Sequence, residues 1–246
     1  MSRVISVGFS EERGRSDAEV LAKQLGLALD NHAYPRLSVM PDRLALLLKG
    51  CEPLSANFNS HGLSRRREAG KSQGLIRACK PQLGLSILDV TAGWGRDAAI
   101  LASFGASVTM VERHPVMHVL LFDALHRLQL TESRLVLSLV HANACDYLDQ
   151  LAPSDYPDVI YIDPMHPTRQ KSALVKKDMQ VLQQLIGADE DADALLQKAL
   201  HIARLRVVLK WPQRLPPLFP PNHSIEGKTV RFDVYTGRSI TANIIY

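Results

Sequence analysis

One stretch of this chain constrains everything around it. Ser86-Ile87-Leu88-Asp89-Val90 is an apolar run, and Asp97 to Phe104 carries helical spacing that stops at Gly105. Between them lies Thr91-Ala92-Gly93-Trp94-Gly95-Arg96. A strand that runs through two glycines straight into a helix opens a βαβ unit, and such units build a parallel sheet covered by helices. Gly93 and Gly95 remove side chains where a ligand must approach the backbone. The helix start offers N–H groups and a positive dipole end to a carboxylate or phosphate.

The alternation continues downstream. Ser107 to Glu112, Leu135 to Val140, Asp158 to Ile162 and Leu205 to Lys210 read as strands. Pro115 to Leu130, Leu174 to Leu185 and Ala192 to Ala203 read as helices, the first with Pro in its opening turn. Val230 to Tyr235 and Ile240 to Tyr246 close the chain as two more strands, and the short Thr236-Gly237-Arg238 turn makes them an antiparallel hairpin. The five prolines between Pro212 and Pro221 demand an extended loop at the carboxyl edge of the fifth strand. The expected fold is therefore α/β and Rossmann-like, a seven-stranded, mostly parallel sheet ending in an antiparallel hairpin. It resembles the build of methyltransferases that use S-adenosyl-L-methionine (AdoMet).

Residues 1–60 have another texture. Val4 to Val7, Leu37 to Met40 and Leu44 to Leu48 are short apolar runs. Ser16 is placed to cap a helix with Val20, Leu21, Ala22 and Leu25 as its apolar face. A small α+β lobe over 1–60 and a methyltransferase-like domain over 61–246 are expected. Between them, Arg65-Arg66-Arg67 and Lys71 form a basic stretch rich in turn formers, with a helix following toward Ala78.

Composition narrows the class. With 46% hydrophobic and 22% charged residues in 246, the chain has the apolar surface a disordered protein lacks. No run approaches the roughly 20 apolar residues of a membrane helix, and the N-terminal residues carry no secretory h-region, so a cytoplasmic chain is expected. Cys51, Cys79 and Cys145 are odd in number and far apart, which suits buried thiols rather than a disulfide framework or zinc site. His114 and His118 stand four apart without a His-Glu-x-x-His context, so they read as structural. The net charge of +4 leans toward polyanionic partners.

Glu112 ends the second strand about 20 residues after Asp89, where an acid in nucleotide folds takes both hydroxyls of a ribose. Asn143 follows the third strand, within reach of an adenine edge. These residues point to a nucleoside cofactor. Gly93 to Ala98 also fits the G-x-G-x-x-A pattern of dinucleotide-binding dehydrogenases.

The fourth strand favours methyl transfer. It ends in Asp163-Pro164-Met165-His166-Pro167, which resembles the Asp/Asn-Pro-Pro-Tyr/Phe loop of enzymes that methylate exocyclic amines of bases. Such an amine is a poor nucleophile because its lone pair spreads into the ring. A carboxylate from Asp163 and a carbonyl from Pro164, aimed at its two N–H bonds, would hold the nitrogen. His166 would stack on the extruded base. Transfer from a sulfonium needs no metal.

Four segments together, Asp89 to Asp97, Glu112 to Pro115, Asp163 to Pro167 and Lys171 to Lys177, resemble the ribosomal RNA small subunit methyltransferase J family. The resemblance implies methyl transfer from AdoMet to N2 of a guanine in 16S ribosomal RNA, free or in the small subunit. It implies cofactor contacts at Arg96, Asp97, Glu112, Arg113 and Asp163. A Ser-Ser pair common in that family is Asn143-Ala144 here, and its usual Phe is His166. Arg65, Arg66, Arg67, Arg169, Lys171, Lys176 and Lys177 are the candidate RNA contacts. Two further readings stay open: an amine on another base or on a protein glutamine, and a non-enzymatic RNA-binding assembly factor.

Overall fold

The computed structural model describes residues 6–59, 61–164 and 191–238. In chain order come β1 (Ser6–Phe9), α1 (Arg15–Leu25), β2 (Ala28–Leu29), β3 (Arg36–Val39) and β4 (Leu44–Leu47). Two short helices follow, α2 (His61–Glu68) and α3 (Gly74–Cys79). Strand and helix then alternate as β5 (Ser86–Asp89), α4 (Arg96–Ala102), β6 (Ser107–Glu112), α5 (Pro115–Gln129), β7 (Val136–His141), α6 (Ala144–Gln150) and β8 (Val159–Ile162). The last described elements are α7 (Ala192–Ile202), β9 (Arg206–Pro212), β10 (His223–Glu226) and β11 (Val230–Thr236).

These residues form two compact units. In the first, residues 6–57 join His114–Thr131. Its four-stranded sheet runs β2-β1-β3-β4, with β1 parallel to both neighbours and β4 antiparallel to β3. Ala18 and Ala22 bury the inner face of α1, and Gly26, in the left-handed region at φ 63°, ends that helix by donating to the carbonyls of Ala22 and Lys23. Ser16 makes no cap, contrary to expectation. The N-cap is Gly14, and Ser16 lies inside the first turn. Arg127 of α5 pairs with Asp123 and donates to the carbonyl of Ala56 at 2.6 Å.

The second unit carries the seven-stranded sheet, in the order β10-β11-β9-β8-β5-β6-β7. β5 to β9 pair in parallel, and β11 is antiparallel to both its neighbours. The sheet thus ends in an antiparallel hairpin, as expected, here β10 and β11 joined through residues 227–229. The expected strand Ile240 to Tyr246 falls outside the described residues. The proline-rich loop stops at Pro221, early enough for His223 to Glu226 to form the edge strand.

All four residues of β8 are fully buried, as a strand covered on both faces requires. On one face Ile160, Ile162, Val207 and Leu209 pack against Leu195, Leu196, Ala199 and Ile202 of α7. Each such valine, leucine or isoleucine side chain contributes about 1.5–3 kcal/mol of burial. The two-residue period of a strand then turns Tyr161 and Lys210 to the other face, where α4 lies. At Gly74, a Cβ would stand 2.6 Å from the Phe232 ring, so only glycine lets α3 lie this close to β11. Among the described residues no helix is long and apolar enough to cross a membrane.

Candidate active site

Asp89 and Tyr161 are register partners on the adjacent strands β5 and β8, so the turn after one and the loop after the other leave the sheet side by side. The Thr91 hydroxyl joins them: the Asp163 backbone N–H donates to Thr91 Oγ1 at 2.7 Å. Thr91 in turn donates to Asp89 Oδ1, through its N–H at 3.1 Å and its hydroxyl at 3.5 Å. The glycine turn and the strand-tip acid therefore share one crevice at the carboxyl edge of the sheet.

Within that turn Gly93 and Gly95 take φ of 53° and 67°, left-handed values that other residues avoid. A Cβ on Gly93 would meet nothing nearer than the Thr91 carbonyl at 3.9 Å, so the space beside the turn is open. Gly93 N–H donates to Glu112 Oε2 at 3.0 Å, which fixes the carboxylate at the tip of β6 against the turn. Open backbone beside a carboxylate rich in acceptor positions suits a nucleoside whose ribose presents two hydroxyl donors.

Across the crevice an ionic network ties four elements together. Asp97 of α4 accepts from the Tyr161 hydroxyl at 2.7 Å and from Lys210 Nζ at 3.3 Å through Oδ2, and from Arg66 of α2 at 2.7 Å through Oδ1. Lys210 also donates to Asp163 Oδ2 at 2.7 Å. Burial works against the Asp97 charge, but Lys210 and Arg66 outweigh it and hold the carboxyl below its ordinary pKa. Burial likewise opposes the Lys210 ammonium, and Asp97 and Asp163 carry its pKa above the usual lysine value. Burial, then the Asp97 and Asp163 charges, push the Tyr161 phenol well up.

Asp89 is 1% exposed, and burial pushes its carboxyl up to about 8, with Asp97, Asp163 and Glu112 adding to the shift. From its ordinary 3.8 to about 8, the folded chain keeps a proton that the unfolded chain has released. Stability then falls as pH rises through this window and levels off above it. Asp89→Asn mimics the neutral acid and removes that loss. Melting curves at pH 5, 6.5, 8 and 9 should show a variant that gains on the wild type as pH rises. Parallel curves would mean that Asp89 is charged in the native state.

The other candidates are distributed as follows. Asn143 caps α6, its Oδ1 accepting from the backbone N–H groups of Cys145 and Asp146. Arg113 lies 3.7 Å from Asp191, and Arg96 is exposed at the start of α4. Arg65 and Arg67 are exposed on α2, whereas Arg66 turns inward to Asp97. Pro164 is buried beside Asp163. His166, Arg169, Lys171, Lys176 and Lys177 lie outside the described residues. The roles of Thr91, Tyr161 and Lys210 had no local signal: each shows only once the strands are in register.

Comparison with known proteins agrees with this geometry. A family model described as "Putative SAM-dependent methyltransferase" matches residues 20–237. The chain is 54% identical over 236 residues to a ribosomal RNA small subunit methyltransferase J from Legionella pneumophila, covering 96% of this chain and 97% of the relative. It is 43% identical over 250 residues to the protein of the same name from Coxiella burnetii, covering 96% and 98%. A crystal structure of a SAM-dependent methyltransferase from Neisseria gonorrhoeae superposes with a TM-score of 0.73 at 27% identity, over 98% of this chain and 99% of that one. The dinucleotide reading of the glycine turn gives way to that of a sulfonium donor, and the chain belongs to the ribosomal RNA small subunit methyltransferase J family of SAM-dependent methyltransferases.

Proposed function

We propose that this chain transfers a methyl group from AdoMet to the exocyclic N2 amine of a guanine in 16S ribosomal RNA. One observation carries the reading: the Thr91 hydroxyl ties Asp163 to the turn that bears Gly93 and Gly95, so amine and methyl donor would meet within one crevice.

AdoMet, when bound, supplies a methyl group on a sulfonium. Glu112 would accept its ribose hydroxyls, the Gly93–Gly95 turn would leave room for close backbone approach, and Asn143 and Ala144 would border its adenine. On the other side, the Asp163 carboxylate accepts one N–H of the guanine amine, and the Pro164 carbonyl takes the second. Both N–H bonds are then engaged and the nitrogen lone pair is aimed at the methyl carbon. Rate comes from this positioning. The carboxylate also stabilises positive charge growing on the nitrogen. The Asp163 side chain is 35% exposed, so the proton shed by the amine has a path to water. His166 would stack on the base.

Arg65 and Arg67 are proposed phosphate contacts, because they project from a helix whose Arg66 is bonded into the site. Arg169, Lys171, Lys176 and Lys177 join them on the strength of their place in sequence, directly after the Asp163 loop. A ribosomal RNA substrate assigns the chain to the cytoplasm.

The test is labelling of small ribosomal subunits, and of 16S RNA freed of protein, from a strain lacking this protein, with tritiated AdoMet. Label should appear in N2-methylguanosine. Label in N6-methyladenosine or in protein would replace the substrate, and an unlabelled particle that still binds AdoMet would remove RNA altogether. Glu112→Ala should weaken AdoMet binding by about 1.5–3 kcal/mol, roughly a ten- to hundredfold rise in Kd by calorimetry. An unchanged Kd would move the ribose contact elsewhere.

A further inference from the structure

Strand β9 reads Val207, Val208, Leu209, Lys210, Trp211, with the apolar four buried and a single ammonium among them. Desolvating an ammonium is costly, and a methionine of similar length would fill the same volume without that cost. The ammonium is held between two carboxylates that differ in kind. Asp97 is saturated on both oxygens by Arg66, Tyr161 and Lys210, and its side chain is 16% exposed. Asp163 opens to solvent at the tip of β8.

We propose that Lys210 is a positioning residue for the methyl-transfer reaction: anchored on Asp97, it grips one oxygen of Asp163 and keeps that carboxylate ionised and oriented toward the amine. The assignment rests on the reading of Asp163 given above. A protonated Asp163 would donate an O–H where the amine needs an acceptor. The surroundings push toward that wrong state. Asp97 of α4 and Glu112 of β6 are acidic neighbours in the crevice, and with Asp163 they push up the carboxyl of Asp89 on β5, which burial already keeps protonated, and so uncharged, up to about pH 8. Tyr161 of β8 is neutral, as is Cys79 of α3, whose thiol burial and the Asp97 and Asp89 charges push up. Arg66 of α2 spends its contact on Asp97. Lys210 donates to Asp163 Oδ2 at 2.7 Å.

The test reads Asp163 directly. In protein labelled with 13C at aspartate carboxyls, the Asp163 titration midpoint is followed in the wild type, Lys210→Met and Lys210→Arg, alongside kcat against pH on small-subunit RNA and AdoMet binding by calorimetry. Lys210→Met should raise the midpoint by about 1–3 pH units. The acidic limb of kcat should move by the same amount, and the rate at neutral pH should fall about tenfold or more. The Kd for AdoMet should stay close to the wild-type value. Lys210→Arg should restore both midpoint and limb. If Lys210→Met does not fold, Lys210→Gln reads the same quantities. An unmoved midpoint overturns the proposal, as does a rate that falls with the limb in place or in step with lost AdoMet binding. A shifted midpoint in a chain that methylates no RNA would sink the substrate reading and leave Lys210 as the residue that sets Asp163.

Discussion

Asp163→Ala should abolish methyl transfer and leave the fold standing. At the tip of β8 the carboxylate meets solvent through its partly exposed side chain, and its backbone N–H is bonded to Thr91 of the glycine turn. Alanine keeps that backbone bond. It removes the acceptor for the amine and the charge that offsets positive charge on nitrogen. Loss of a single electrostatic stabiliser of this kind costs about 10²–10³-fold in kcat, and here orientation of the nucleophile goes with it. The stability cost should stay small. Lys210 retains Asp97, and a partly exposed ion pair contributes only about 0–1 kcal/mol. Asp163→Asn keeps the shape and one acceptor oxygen, so it should fall between the two. Tritium transfer to small-subunit RNA and thermal melts measure the two quantities independently. Wild-type turnover by the alanine variant would remove Asp163 from the chemistry.

How much of this was legible beforehand differs from element to element. The β5–α4 turn was plain, because the change from strand to helical period falls on two glycines and no other local structure suits that pattern. The acids at Glu112 and Asp163 followed, since each closes an apolar strand. The edge strand β10 was hidden. It buries only Ile225 of its four residues, so its sequence carries almost no apolar alternation, and the prolines before it mask its start. Helix α2 was equally obscure: three consecutive arginines make no apolar stripe, and a bond to Asp97 is what turns one of them inward. Nothing local decides whether Lys210 faces the site or reaches for solvent. Its direction depends on the parity of β9 against β8, and its partner lies 47 residues away in sequence. Local patterns report which residues end strands. They do not report which strand ends become neighbours, and the crevice is assembled by that second relation.

Asp97 is where that assembly should prove most fragile. Asp97→Ala removes one side chain and strips partners from three others. The Tyr161 hydroxyl is left buried beneath α4, Arg66 loses the contact that ties α2 to the site, and Lys210 keeps Asp163 alone of the two carboxylates it bridges. Breaking a buried ion pair by deleting one partner costs about 3–5 kcal/mol, because the remaining charge and hydroxyl stay desolvated. At about 2–4 °C per kcal/mol for a chain of this size, the melting temperature should drop by about 6–20 °C. Asp97→Asn keeps acceptor geometry for Tyr161 and Arg66 without the charge, and should lose distinctly less. Pairing each with Tyr161→Phe separates the parts. In the alanine background the phenol has already lost its acceptor, so removing its hydroxyl should cost nothing or help, whereas in the wild type it should destabilise. Additive effects in that cycle would mean that Tyr161 and Asp97 act independently. The network would then be a set of separate contacts, and Asp97 could not serve as the anchor that fixes Lys210 against Asp163.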